Sequence, residues 1–542
     1  LRDRKTSINS LSSMWLAVRV HWDGFWRNPR QWLAGLWWYV QGKRVRGRSR
    51  IEPLIGASSR AYELLLARES VDPLPADAGP PICAIIDTML GCEQLAATLQ
   101  SLESAGFAAR VAIGTKPAAQ DDASLVWLRH PVELPGYLAA AGIAWICPVR
   151  CGDRFAPGTG LHYAAAAALG RAEVVYSDDD LIGSDGLRSD PYFKPRWNSE
   201  LFRHHDYVGG SAAWRWEPVA DEFAGGLDRA LVAAVERAEG RVHHIPQVLH
   251  HRRARPKPRP LSRTTPSVQP QRVSIIVPTR DQPDLLRTCL AGVDQVAWDD
   301  VELVIIDNGS TEPATLALLD RYSAKGAKVL RDDGPFNFSR LNNLATQAAT
   351  GSMLCLLNND VEMLGDDWLA WLVAAAQRDD VGAAGALLLY PDRTIQHAGV
   401  VLGVGGGAAH AHRGLDPTAE GYFRRHQYPQ FVSAVTGACL VVARERFMAV
   451  GGLDEDAFPV AFNDVDLCLK LNARGWRSFY EPRACLIHHE SKSRGLDRDR
   501  VNRMRFAGEL AALKHRWRTA ETIDPAHHHR LSRYSDQFVL AV

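Results

Sequence analysis

Three apolar runs in the second half of the chain stop abruptly at polar residues: Val273–Asp281 (VSIIVPTRD), Val304–Thr311 (VIIDNGST) and Leu356–Glu362 (LLNNDVE). In an open α/β sheet such a run is a buried parallel strand, and ligands bind beyond its carboxyl end. The groups expected to gather there are Pro278, Thr279, Arg280, Asp307, Asn308 and Asp360. Carboxylates at such an edge suit a hard divalent cation, Mg2+ or Mn2+, and a cation there stabilises charge growing on a diphosphate leaving group. The chemistry to expect is therefore that of a nucleotide-diphosphate site with a bound metal.

Positioning these groups requires alternating elements. Helical spacing follows each of the first two runs, over Asp284–Val293 and Glu312–Tyr322, and a third helical segment, Asn337–Ala349, precedes LLNNDVE. This alternation predicts a mostly parallel sheet with right-handed crossovers. Gly403–Ala408 (GVGGGA) fits the dinucleotide fingerprint formally. It does not open the first strand–helix unit, so a nicotinamide cofactor is not expected. A flexible loop over the donor is the reading taken.

Seven motifs occur in order: VSIIVPTRD, VIIDNGST, NFSRLNNLA, LLNNDVE, VTGACLVV (435–442), FNDVDLCLKLNARGW (462–476) and HHESKSRG (488–495). Together they resemble family 2 glycosyltransferases of the GT-A fold, in a rhamnosyltransferase-like form. The resemblance implies that Pro278, Thr279, Arg280 and Asp307 hold the nucleotide, with Asn308, Asn343, Asn358 and Asn359 on the donor side. It implies that Asp360 closes a metal-binding DxD-type motif, here Asn358–Asn359–Asp360, and that His488 completes the metal shell. Imidazole beside carboxylate tilts the choice slightly from Mg2+ towards Mn2+. Asp464 matches the second acidic residue of the family's ED motif and is the expected general base for an inverting transfer. The alternative for Asp464 is an N-cap of the helix Val465–Leu471; Asp466 is expected to cap or pair locally. Lys492 and Arg494 are expected to clamp the diphosphate. His397, His410 and His412 are further candidates for the pocket wall, against a structural role for each.

The remainder of the chain suggests a second copy of the fold. VYSDDDLI (175–182) and DPYFKPRWN (190–198) resemble a degenerate GT-A-like domain, and each half has a strand ending in a histidine pair, His250–His251 and His488–His489. Asp178–Asp180 is a candidate metal cluster there or an exposed loop. The expected divisions are a Trp-rich, basic segment over 1–79, a degenerate domain over 80–255, a proline-rich linker over 256–272, the catalytic domain over 273–515 and a tail over 516–542. The whole is α/β, with tandem Rossmann-like GT-A domains behind an N-terminal helical segment.

Trp15, Trp22, Trp26, Trp32, Trp37 and Trp38 interleave with Arg19, Arg27 and Arg30, ahead of Lys43, Arg44, Arg46, Arg48 and Arg50. Two readings stand: an anchor to an anionic membrane surface, or helices packed on the body. No apolar run is long enough for a spanning helix. The start, Leu1, is not read as a signal peptide, and Met14 is an alternative start. A net charge of +1 gives no reason to expect nucleic acid. Nine cysteines without metal-like spacing are expected to be reduced core residues of a cytoplasmic protein; the anchor reading of the Trp-rich segment would place it peripherally at the inner face of a bacterial plasma membrane.

The expected function is a metal-dependent glycosyltransferase using a UDP-, dTDP- or GDP-sugar and a glycan or lipid-linked oligosaccharide acceptor in surface-polysaccharide (O-antigen) assembly. Two rivals are a bifunctional polymerising enzyme, which needs an active first domain, and a non-catalytic nucleotide-sugar-binding module.

Overall fold

The computed structural model describes residues 2–69, 79–89, 91, 94–117, 122–168, 170–217, 223, 225–256, 260–489 and 500–542, and only the backbone of residues 2–12 and 500. Lys492 and Arg494 lie outside the described residues. Four helices, Arg2–Arg27, Pro29–Val40, Arg44–Ile55 and Ala61–Arg68, precede two large sheets.

The two sheets are built alike. The first runs Leu125–Leu128, Ala109–Ile113, Ile82–Asp87, Trp145–Arg150, Ala212–Arg215, Val174–Ile182, Val242–Arg252, Arg154–Phe155. The second runs Lys328–Arg331, Val301–Asp307, Val273–Thr279, Met353–Leu357, Cys439–Ala443, Val381–Leu389, Arg477–His488, Val361–Met363. In both, the first four strands are parallel, the fifth is antiparallel to its neighbours, and a short antiparallel strand closes the edge. Matching chain order, strand by strand, makes the chain a tandem repeat of one mixed, mostly parallel α/β fold. This is the tandem GT-A-like architecture expected from the motifs.

The second sheet is buried on both faces, which is why its strands read as unbroken apolar runs. Ile275 and Val277 face the helices Pro283–Asp294, Pro313–Ala324 and Trp368–Ala376, through Leu286, Leu290, Leu319 and Leu372. Ile276, Leu354 and Leu440 face the opposite layer, through Leu341 and Ala345 of Phe338–Ala348 and Leu467 and Leu471 of Asn463–Ala473.

The segment 190–198 joins the two halves. Asn198 donates through Nδ2 to Phe431 O at 2.8 Å, Tyr192 stacks on Phe423, and Arg378 pairs with Glu200 at 2.8 Å. The tail closes the same seam. Arg196 N–H donates to Pro525 O, Leu402 N–H to Asp524 and Arg425 to Ala526 O. The helix Arg500–Trp517 runs through residue 515 without a break.

Asp178, Asp179 and Asp180 lie within a strand, not on a loop, and are 0, 1 and 0 % exposed. Each is matched by cations or donors from distant parts of the chain. Asp178 meets His244 at 2.8 Å and the tail's His528 at 3.0 Å. Asp179 meets Lys194 and Arg255, both at 2.8 Å, and Arg252 at 3.4 Å. Asp180 meets Arg188 at 2.6 Å, His251 at 2.7 Å and Tyr62 Oη of the N-terminal segment at 2.6 Å. Burial pushes the Asp179 carboxyl up, but Lys194, Arg252 and Arg255 hold it below the usual carboxylate range. The expectation of a metal here is corrected: protein cations already occupy the places a metal would take.

Eight cysteines are described, all free thiols. Among the described residues no helix is long and apolar enough to cross a membrane.

Acid sensitivity follows from the buried seam. Burial, then the charge of Arg425, lowers His205 and His527 each from 6.5 to about 4. The unfolded chain takes up protons that the fold excludes. Stability present at pH 7 is therefore lost as pH falls from 6.5 through about 4. The thermal midpoint should drop across this window, and less steeply in His527→Gln; a midpoint level over that range would refute the prediction.

Candidate active site

A cavity of about 930 Å³ opens at the carboxyl ends of the second sheet's parallel strands. Pro278, Thr279 and Arg280 border it from the first run, Asn358 and Asn359 from the third. Thr279 is buried and accepts a hydrogen bond from Asn359 Nδ2 at 3.0 Å through Oγ1, so the two loops are cross-linked. Arg280 is exposed at the rim.

Asp360 and His488 stand together because two strands bring them there. Val361–Met363 pairs antiparallel with the end of Arg477–His488, with Val361 opposite His488. Asp360 Oδ1 is 3.0 Å from His488 Nε2, and Asn358 Nδ2 is 3.2 Å from the same nitrogen. Gln396 Oε1, at 2.7 Å, accepts from His488 Nδ1, while Gln396 Nε2 donates to His488 O. This fixes Nδ1 as the protonated nitrogen. Nε2 then faces a carboxylate either as an imidazolium N–H or as a lone pair offered to a cation. Asn358 Oδ1 is buried with no hydrogen-bond partner among the described residues. A carboxylate, an imidazole with its second nitrogen anchored and an unmatched amide oxygen form a donor set that fits a divalent cation.

Asp464 enters the wall from another direction. The helix Asn463–Ala473 starts after Phe462, whose φ of 60° turns the chain sharply. Leu467, Cys468 and Leu471 seat the helix in the core. Its first turn then presents Asp464 to the cavity. Asp464 Oδ2 accepts from Gly437 N–H at 2.9 Å and Oδ1 from Val465 N–H at 2.8 Å. The residue is thus not the N-cap. It is a partly exposed carboxylate at a helix N-terminus, where the dipole favours negative charge. Asp466 behaves as expected: it is buried and pairs with Arg516 at 2.9 Å, Lys470 at 3.3 Å and Trp517 Nε1 at 2.9 Å.

Several candidates take other places. Asp307 pairs with Arg331 at 2.8 Å and accepts from Ser310 N–H, and Asn308 donates to the carbonyls of Asp332 and Gly334. Both brace the loops behind the strand ends and are not on the cavity wall. Asn343 is turned away, bonded to Leu453 and Glu455. His410 is on the wall, and its Nδ1 is 2.9 Å from Nδ1 of the fully buried His397. Burial keeps His397 neutral. His412 packs among His426 and Phe538 instead. The glycine loop is not free to swing: Gly405 N–H donates to Arg533 O, and Gly406 O accepts from Thr519. The tail straps it down.

The motifs missed one wall altogether. Asn502, Arg505 and Phe506 come from the helix Arg500–Trp517, and Phe506 packs on Phe462 with ring centroids 5.3 Å apart. Glu509, one turn on, accepts from Val460 N–H at 2.9 Å and docks the helix there. No spacing in the sequence signals this contact.

The first domain holds a counterpart of the carboxylate–imidazole pair. Asp153 follows the matching strand Trp145–Arg150 and lies 2.8 Å from His250 on the matching strand Val242–Arg252. Both are buried, and Arg253 N–H caps Asp153 at 2.9 Å. Asp228, second residue of the helix Leu227–Arg237 as Asp464 is of its own, is paired with Arg150 at 2.9 Å.

Residues 274–399 match the family model described as Glycosyl transferase family 2. The chain is 39% identical over 420 residues to the uncharacterized protein y4gI of Sinorhizobium fredii, covering 68% of this chain and 46% of that one. It is 35% identical over 380 residues to the O-antigen biosynthesis protein RfbC of Myxococcus xanthus, covering 61% and 30%. It is 29% identical over 231 residues to the N-acetylglucosaminyl-diphospho-decaprenol L-rhamnosyltransferase of Mycobacterium tuberculosis, covering 39% and 74%. The chain thus spans less than half the length of the first two of these relatives. The matched stretch carries the cavity's own loops, so residues 274–399 form a glycosyl transferase family 2 domain.

Proposed function

We propose that the second domain transfers a sugar from a nucleotide-diphosphate donor to an acceptor hydroxyl, with inversion at the anomeric carbon. The observation that carries this reading is the convergence of Asp464 and His488 on one cavity at the sheet's carboxyl edge, with Asp360 3.0 Å from His488 Nε2. Asp464 takes the proton of the acceptor hydroxyl while its oxygen bonds to the anomeric carbon and the bond to the diphosphate oxygen breaks. Gly437 N–H keeps Asp464 oriented at the helix N-terminus. Thr279, Arg280 and Asn359 hold the donor at the strand ends. Asp360, His488 and Asn358 would hold a divalent cation, Mn2+ or Mg2+, which when bound offsets charge on the departing diphosphate.

The acceptor in this reading is a glycan or lipid-linked oligosaccharide of bacterial surface-polysaccharide assembly. The family match and the names of the O-antigen and rhamnosyltransferase relatives support it. The first domain serves as a non-catalytic support, a reading supported by its buried aspartates 178–180, which are matched by cations and donors of the protein itself. Enzyme with UDP-, dTDP- and GDP-sugars and cell-derived lipid acceptors should release nucleotide diphosphate, and a chelator should stop it. Direct titration should show Mn2+ affinity lowered about 10–100-fold or more in Asp360→Asn and His488→Gln. Unchanged Mn2+ affinity in both variants would remove the metal site from the proposal.

A further inference from the structure

The N-terminal helices have apolar residues on both sides. Leu16, Val20 and Gly24 of the first helix are buried against the third and fourth helices, with Leu16 and Val20 meeting Ile55 and Leu64. The opposite side presents Trp15, Trp22 and Trp26, which with Trp37 of the second helix are 68, 60, 62 and 61 % exposed. The spacing 15, 18, 22, 26 is that of one helix face, and Val18 on it is also exposed. The second helix meets the third through a glycine contact, where a Cβ on Gly47 would lie 3.0 Å from Gly35 O. That close approach leaves Leu33, Leu36, Trp37, Tyr39 and Val40 outside.

The charge around this face has one sign. Between residues 13 and 50 the cations are Arg19, Arg27, Arg30, Lys43, Arg44, Arg46, Arg48 and Arg50; Arg48 is paired with Glu52 at 2.5 Å, and the one acidic residue in this stretch, Asp23, is paired with Arg60 at 2.8 Å. Lys43 and Arg46 lie over the Trp38 ring at the hairpin's turn. Indoles prefer the boundary between headgroups and acyl chains, and lysine and arginine pair with anionic headgroups above it. A bilayer supplies both layers at once, in the order that this face requires. None of these helices is fit to cross it.

We propose that the face formed by Trp15, Trp22, Trp26 and Trp37, with the cations Lys43, Arg44 and Arg46, docks flat on an anionic lipid bilayer. The docking is a property of the helical segment and stands independently of what the cavity catalyses.

Flotation of the full chain with vesicles tests it. Vesicles of phosphatidylglycerol and phosphatidylcholine should carry the protein, and phosphatidylcholine alone should carry little. Half-molar salt should weaken the binding, because exposed charges are screened. Neutralising Lys43→Gln, Arg44→Gln and Arg46→Gln together should weaken partitioning about 100-fold. Trp15→Ser, Trp22→Ser and Trp26→Ser together should weaken it at least about tenfold, since the indoles supply the interfacial term. All six side chains project outward, so circular dichroism should match the parent. The proposal is overturned if the parent does not float with anionic vesicles. It is also overturned if the tryptophan variants float as well as the parent, or if these substitutions instead dissolve a dimer seen by light scattering with no vesicle binding in the parent.

Discussion

Asp464→Asn should lower the turnover of nucleotide sugar by about 10²–10⁴-fold while leaving nucleotide affinity within a factor of a few. The change is isosteric, and the amide oxygen can still accept from Gly437 N–H. The fold around the site should persist, because the helix is seated by Leu467, Cys468 and Leu471 rather than by Asp464. What is lost is the group that removes the acceptor proton. The control is Asp466→Asn, two residues on. Its carboxylate is fully buried against Arg516, Lys470 and Trp517, so its loss should lower stability first and turnover only through it. Steady-state turnover and nucleotide binding, measured side by side, separate the two. Turnover of Asp464→Asn within tenfold of the parent would exclude Asp464 as the base. A protein that binds nucleotide sugar tightly yet turns over no donor in either form would be the non-catalytic module.

Asp179→Asn should destabilise the protein by about 3–5 kcal/mol, the usual cost of removing one partner from a buried ion pair. Lys194 is then left 1 % exposed with its principal counter-charge gone, and Arg252 and Arg255 lose the carboxylate between them. Lys194→Met combined with Asp179→Asn should recover part of the loss, because it removes a stranded cation. The readout is the denaturant midpoint, followed by probes in both domains, since two joined domains need not unfold in one step. Neighbouring Asp180 ties in Tyr62 and Asp178 ties in His528, so the cluster joins both ends of the chain to the first domain. If the first domain were instead a second transferase, Asp180→Asn would erase one of two products and leave the midpoint in place. That result would restore a catalytic role to the cluster.

These two aspartates mark the boundary of what could be read from the sequence. Strand runs ending in VPTRD, IIDNGS and NNDVE foretold the parallel strands and the polar edge, because a strand covered on both faces must be apolar throughout and its ligand groups must follow it. The nearness of Asp360 to His488 and the place of Asp464 by the same cavity are legible because their motifs survive as short strings, and each side chain sits close to the backbone that carries it. Asp178–Asp180 looked equally ligand-like, yet it lies in the strand equivalent to Val381–Leu389, not in the one that precedes Asp360. The counterpart of Asp360 is Asp153, a lone residue in a short turn with no acidic neighbour to advertise it.

By itself, the sequence determined the α/β alternation, the repeat of a histidine-ended strand and the residue types at the sheet's edge, all of which depend on local periodicity and chain order. The tertiary structure alone decided which charges are matched and which face open space. Arg331 claims Asp307, and Leu453 and Glu455 claim Asn343. Arg505 and Phe506 are carried to the cavity by a helix docked through Glu509. A buried carboxylate and a catalytic one have the same side chain, and only the partners that packing brings within hydrogen-bond reach distinguish them.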